Sequence, residues 1–121
     1  MAGDFTSTQP IYLQLVRRLC KQIVRGEIAV GDKLPSLREM AIQVGVNPNT
    51  VQRVYAELER IAVVETRRGQ GTFVTGDHSR LRQLREELME NSVTAFLSDM
   101  REMGFAVDEI LRSFKEHQAS D

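Results

Sequence analysis

Between Asn49 and Arg53 the chain places four polar side chains, Asn49, Thr50, Gln52 and Arg53, among apolar residues at helical spacing. Asn49, Gln52, Arg53 and Ala56 fall at i, i+3, i+4 and i+7, on a face distinct from the one formed by Val51, Val54, Tyr55 and Leu58. This is the chemistry of base readout in a DNA major groove. The amides of Asn and Gln pair two-pronged with adenine, the guanidinium of Arg pairs with guanine, and Thr bonds a base edge or packs on the thymine methyl. Ala56 is small enough to let a groove wall approach. Most polar helix faces are simply solvated, so the reading depends on the elements that hold this one in place.

Those elements are legible on both sides. Ser36 with Glu39 three residues later forms a capping box, which starts a helix at Leu37; Leu37, Met40, Ala41 and Val44 form its apolar side and Gly45 stops it. Asn47 then caps a second helix, with Pro48 at the first helical position, where its missing N–H costs nothing. Two short helices joined by a turn of about three residues define a helix-turn-helix. Arg38 lies in the first turn of the leading helix, where backbone N–H groups can join it on one phosphate.

After the second helix, Val63–Arg67 and Thr72–Val74 are β-rich runs flanking Arg68-Gly69-Gln70-Gly71, a hairpin pattern with arginines at its tip. Such a wing can lay Arg68 along a DNA backbone or into the minor groove, with Gly69 and Gly71 allowing close approach. As a nucleotide-binding loop the segment fails, because the third glycine, the lysine and the following helix start are missing.

Ahead of these motifs, Pro10 introduces a helix in which Tyr12, Leu15, Leu19 and Ile23 form an apolar stripe, widened by Val16, Cys20 and Val24. Arg17, Arg18, Lys21 and Arg25 lie on the other side, and Gly26 suits the position just past its end. Gly31-Asp32 marks a turn, and Lys33-Leu34 is expected to form a short strand. Residues 1–9 are polar and expected to be frayed or disordered. Beyond Ser79 a helical pattern carries Leu81, Leu84, Leu88, Val93, Phe96, Leu97, Met100 and Met103 and ends at Gly104; a second follows with Phe105, Val107, Ile110, Leu111 and Phe114. Two helices of this size cannot bury such faces alone.

The net charge of −1 hides an asymmetry. Residues 1–78 carry ten basic against eight acidic side chains, residues 79–121 six against nine, and no acid occurs from Met40 to Ala56 or from Thr66 to Gly76. Both windows can face phosphates without repulsion. The single cysteine, Cys20, leaves no internal disulfide or multi-cysteine zinc site and is expected to be a buried thiol. No apolar run approaches the ~20 residues of a membrane span, and MAGDFTSTQP lacks the layout of a signal peptide, so a cytoplasmic protein with no membrane partner is expected.

The runs PIYLQL, GDKLPSLREMA, GVNPNTVQRVYAELER and ETRRGQGTFV together resemble the N-terminal winged helix of GntR-family bacterial transcription regulators, over roughly residues 10–75. The forty-three residues after 78 are too few for the large effector domains of most branches, and a two-helix tail resembles the YtrA-type subfamily. The resemblance implies a mainly α fold with a small β-hairpin: a winged helix-turn-helix domain at 10–76, then a two-helix dimerisation and effector tail at 79–121. It implies DNA contacts at Arg38, Asn47, Asn49, Thr50, Gln52, Arg53, Arg68, Gly69 and Gln70, and a dimer interface including Leu84, Leu88, Phe96, Met100, Ile110 and Phe114. Pro48 and Asn49 stand where many relatives have Arg or Thr, so the operator sequence cannot be borrowed. Ala106 stands where relatives have a capping Ser or Thr; Asp108 is expected to compensate through the helix dipole.

The expected partners are double-stranded operator DNA, a second copy of the chain and an unidentified small effector, with no cofactor. His78 and His117 are isolated, and Glu86, Glu87 and Glu90 lack the histidine spacing of a metal site. No nucleophile elbow occurs. The expected function is a DNA-binding transcription regulator, a homodimeric repressor on a palindromic operator; a winged-helix protein-interaction module is the alternative.

Overall fold

In a computed structural model of the protein, residues 9–120 are described. The frayed stretch expected at 1–9 therefore lies, except for Gln9, outside the described residues. The chain divides into two compact units, Met1–Arg85 and Glu86–Asp121.

The first unit contains α1 (Ile11–Val24), α2 (Leu37–Val44), α3 (Pro48–Arg60), β1 (Val64–Arg67), β2 (Gly71–Val74) and the opening turns of α4 (His78–Glu102). Each helix starts and stops for a local reason. In α2 the Ser36 Oγ accepts the Glu39 N–H at 3.1 Å, while the Glu39 carboxylate accepts the Ser36 N–H at 2.9 Å. The Ser36 backbone N–H, and after it the Ser36 hydroxyl, hold the Glu39 carboxyl below its ordinary range. At the other end Gly45 turns left-handed at φ 80°. In α3 the Asn47 Oδ1 accepts the Asn49 N–H at 2.7 Å. The α1 terminus closes with Gly26 N–H on the Ile23 carbonyl and Glu27 N–H on the Gln22 carbonyl, the paired bonds of a Schellman motif.

α3 packs against α1, α2 and β1. Its Val51, Val54 and Leu58 are wholly buried, and around them close Leu15, Leu19 and Ile23 of α1, Met40 and Ala41 of α2, and Val63, Val64 and Val74 beside or within the hairpin. Two members of the expected apolar stripes, Tyr12 and Val24, are only half-buried, as are Leu37 and Val44. Tyr55 is buried with its hydroxyl donating to the Pro35 carbonyl at 2.7 Å, which ties α3 to the segment entering α2. Burial, reinforced by the nearby Glu39 carboxylate, pushes that hydroxyl's pKa well up. Cys20 is buried in α1.

β1 and β2 pair antiparallel with Val64 opposite Val74 and Arg67 opposite Gly71. The strand expected at Lys33-Leu34 reduces to a single bridge, Lys33 to Phe73, because the chain turns into α2 at once. It nevertheless contributes backbone bonds to the hairpin: Leu34 N–H to the Thr72 carbonyl at 2.8 Å and Val74 N–H to the Asp32 carbonyl at 2.8 Å. Behind the hairpin, Thr75 is buried, bonded to the Glu65 carboxylate and accepting the Asp77 N–H, and Arg80 Nε donates to the Ile61 carbonyl at 2.9 Å, closing the end of α3.

The second unit comprises the remainder of α4 and α5 (Val107–Ser120). Left-handed Gly104 (φ 83°) ends α4, with Phe105 N–H on the Met100 carbonyl at 3.1 Å. The expectation for α5 needs refining: besides Asp108 in the first turn, the Glu109 carboxylate accepts the Ala106 N–H at 3.1 Å, half of a capping box that needs no serine. Phe96 and Phe114 stack with centroids 5.5 Å apart, and Ile110 is buried between the helices' apolar residues.

Candidate nucleic-acid interface

The solvent side of α3 carries Asn49, Gln52, Arg53 and Ala56, all exposed, and Thr50, half-buried at its border. Because Val51, Val54, Tyr55 and Leu58 anchor the opposite side, the polar face has no freedom to rotate inward. It is a fixed ridge. Between it and the wing lies an open groove of about 500 Å³ into which Gln52, Ala56 and Glu59 project from α3 and Gln70 and Gly71 from the wing. The fold thus brings Gln52 and Gln70, eighteen positions apart, to the two walls of one groove.

The candidates do not all do the same thing. The Asn47 side-chain oxygen is engaged by its own helix cap, so its contribution is mainly to fix where α3 begins. Arg38 is exposed in the first turn of α2, two residues after the Ser36 cap. At the wing tip Gln70 N–H closes on the Arg67 carbonyl at 2.9 Å and Gly69 takes φ 77°, which turns the backbone sharply and leaves Arg68, Gly69 and Gln70 exposed. The paired arginines part ways there. The Arg67 guanidinium lies over the Phe73 ring, 4.2 Å from its centroid, with Glu65 at 3.9 Å, whereas Arg68 is exposed at the tip.

Three residues beside these candidates are not announced by the sequence. Tyr12 shares the spacing of the α1 apolar stripe, yet its ring underlies the Arg53 guanidinium at 3.7 Å; the signal for this is a tyrosine in the first turn of an otherwise aliphatic stripe. Lys33 stretches across the wing so closely that a Cβ at Gly71 would lie 2.8 Å from its Cε, and no sequence pattern announces that crossing. Arg60 adds a cation near the end of α3, held bidentately by Glu57 at 2.6 and 2.8 Å. That pairing keeps the Glu57 carboxyl low and the Arg60 guanidinium high.

The expected interface residues of the tail also divide. Leu84 (3% exposed) and Ile110 (7%) are covered within the chain itself, Leu88 and Met100 are half-buried, and Phe96 (37%) and Phe114 (53%) are exposed. Along α4 and just past its end, the residues Met89, Val93, Phe96, Met100 and Met103 follow alternating four- and three-residue steps, the spacing of a coiled-coil seam. Among the described residues no His, Cys, Asp or Glu cluster could hold a metal ion, and no helix is long and apolar enough to cross a membrane.

A recognition helix fixed against a helix-turn-helix core, with a basic-tipped hairpin beside it, defines a winged-helix DNA reader. The family model for bacterial regulatory proteins of the gntR family matches residues 11–74. The chain is 46% identical over 115 residues, 95% of each chain, to the HTH-type transcriptional regulator YhcF of Bacillus subtilis (strain 168). It is 44% identical over 72 residues to the HTH-type transcriptional repressor YtrA of the same organism, covering 60% of this chain and 55% of that one. Among solved structures, a GntR family transcriptional regulator from Listeria monocytogenes aligns with TM-score 0.86 at 38% identity, over 93% of this chain and 98% of that one. The DNA-binding domain of AraR in complex with operator ORE1 aligns with TM-score 0.54 at 28% identity, over 56% of this chain and 83% of that one. The chain belongs to the GntR family: it is a DNA-binding transcription regulator with a winged-helix reading head and two C-terminal helices, similar to YtrA.

Proposed function

We propose that the protein is a homodimeric, cytoplasmic repressor in which residues 10–76 bind DNA and 79–121 form a dimerisation and effector tail. In this reading α3 enters the major groove with Asn49, Thr50 and Gln52 toward base edges and Asn47 and Arg53 beside them, Arg38 meets a phosphate at the start of α2, and Arg68, Gly69 and Gln70 follow the backbone from the wing. The observation that carries it is the groove between α3 and the wing, with Gln52 on one wall and Gln70 on the other. The same fold in an operator-bound AraR domain supports it. A second copy of the chain is the proposed cover for the α4 seam and the exposed Phe105, Leu111 and Phe114. Two-fold symmetry then calls for an inverted-repeat operator with half-sites ~10 bp apart or a multiple of that spacing.

The test is selection of duplexes from a randomised pool followed by footprinting. An enriched inverted repeat is expected, and Gln52→Ala should relax preference at single base pairs by ~1–3 kcal/mol. Equal loss on selected and scrambled duplexes would remove Gln52 from base readout. Light scattering tests the dimer: Phe96→Glu should yield a monomer that binds half-sites weakly. Release by a small effector belongs to the same reading and would appear as ligand-dependent loss of the footprint.

A further inference from the structure

Arg53 has an obvious partner on its own helix. Glu57 stands four residues on, the spacing at which an arginine and a carboxylate pair along one face. That acid is taken: Arg60 grips both of its oxygens, through Nε at 2.8 Å and Nη2 at 2.6 Å. The Arg53 guanidinium instead lies over the Tyr12 ring at 3.7 Å. Tyr12 belongs to α1, and neither it nor Arg53 borders the groove shared by α3 and the wing, whose α3 wall is Gln52, Tyr55, Ala56 and Glu59. The exposed face of α3 is therefore split, with Gln52 on the wing side and Arg53 on the α1 side.

We propose that Tyr12 is a positioning residue that holds Arg53 on the α1 flank of the recognition helix, so that Arg53 clamps a DNA phosphate instead of reading a base. This rests on the DNA-binding reading above and refines it. An arginine stacked on an aromatic face keeps its full charge, and its edge N–H groups stay free to donate in the plane of the guanidinium. With Glu57 occupied, that charge is not cancelled within the helix. Because the stack orders the side chain before DNA arrives, less rotamer freedom is lost when a phosphate is gripped. Base discrimination then falls to Asn49, Thr50 and Gln52, and Arg53 strengthens binding to any sequence.

The probes are a duplex enriched from a randomised pool by the wild-type protein and a scrambled duplex of equal length, each titrated across a salt series. Arg53→Gln is expected to weaken binding to both duplexes by the same factor and to lower the salt slope by about one. Tyr12→Leu, which keeps the apolar volume and removes the ring face, should weaken both by about two- to fivefold while leaving the salt slope intact, since the cation remains. Tyr12→Phe keeps the ring and should bind as wild type. The double variant Tyr12→Leu with Arg53→Gln should bind no more weakly than Arg53→Gln alone.

Three results would overturn the proposal: an Arg53→Gln loss confined to the enriched duplex, Tyr12→Phe as weak as Tyr12→Leu, or additive effects in the double variant. If Tyr12→Leu does not fold, Tyr12→Phe and Arg53→Gln still decide between ring, hydroxyl and base contact. If the pool yields no enriched sequence, the sequence-specific function fails, and the coupling of Tyr12 to Arg53 is still read on the scrambled duplex.

Discussion

Replacing Ser36 by Ala removes one half of the reciprocal cap that starts α2. Ser36 Oγ accepts the Glu39 N–H at 3.1 Å and Glu39 returns a bond to the Ser36 N–H at 2.9 Å. Both residues are exposed, so the stripped N–H regains water and the cost is that of a lost cap, not of a buried orphan. That places Ser36→Ala at about 1 kcal/mol of destabilisation. In a reading head of this size the same change lowers the melting temperature by roughly 4–8 °C. Urea unfolding followed by circular dichroism measures it: the midpoint should fall with the slope unchanged.

Glu39→Gln keeps an acceptor but removes the charge, and its effect is on pH dependence. The Glu39 carboxyl is held below its ordinary range chiefly by the Ser36 backbone N–H, then by the Ser36 side chain. A carboxyl lowered by folding stabilises the native state above its unfolded pKa, and that stability is lost as pH falls through the folded value. The wild-type midpoint should therefore drop more steeply than that of Glu39→Gln on acidification below the ordinary carboxylate range. A Ser36→Ala protein with an unmoved midpoint, or a Glu39→Gln protein with the wild-type acid profile, would show that the cap does not hold α2. The Arg38 position two residues into that helix would then need another explanation.

Other outcomes follow from the same structure. Leu58→Ala, at a fully buried position of α3, should cost about 2–5 kcal/mol and by itself bring the reading head close to its unfolding limit; a urea midpoint that barely moves would contradict the packing described. Ala62 is left-handed at φ 63° without being glycine, so Ala62→Gly should be neutral to stabilising by up to about 1 kcal/mol in the same assay, and a clear loss would mean the alanine methyl is needed. Phe114→Ala removes one ring of the stacked pair with Phe96 and should loosen the tail, seen as faster amide exchange along α5.

The reading head was legible because its punctuation is local. Ser36 with Glu39, Gly45, Asn47 and Pro48 act within one turn of themselves, and the observed bounds of α2 and the start of α3 follow from those residues. The hairpin was legible for the same reason, from its β-rich runs and its glycines. What the residues did not announce depends on crossings between elements distant in the chain. Tyr12 looked like core because its spacing matches Leu15 and Leu19, and only the placement of α3 exposes its ring to Arg53. Lys33 looked like part of a strand because nothing local says that its side chain spans Gly71. Leu84 and Phe96 carry the same kind of side chain in the same helix, yet one is covered and the other exposed, a difference that periodicity cannot express. At the α5 start the sequence points to Asp108 and the helix dipole, while the bond to the Ala106 N–H comes from the next residue, Glu109.

The hairpin's backbone bonds to residues 31–34 bear on how such a regulator can be rebuilt. Leu34, Asp32 and Gly31 hold Thr72 and Val74 through main-chain bonds of 2.8, 2.8 and 3.1 Å, and the same short segment leads straight into Ser36. For a chimera that exchanges wings between regulators, the hairpin is not a separable cassette. Moving residues 63–74 alone would leave the recipient's 31–34 segment to match a foreign edge, while the incoming Gly71 position would meet whatever side chain replaced Lys33. The transplantable module has two discontinuous pieces, and a library that varies the wing without its partner segment will sample misregistered hairpins more than new specificities.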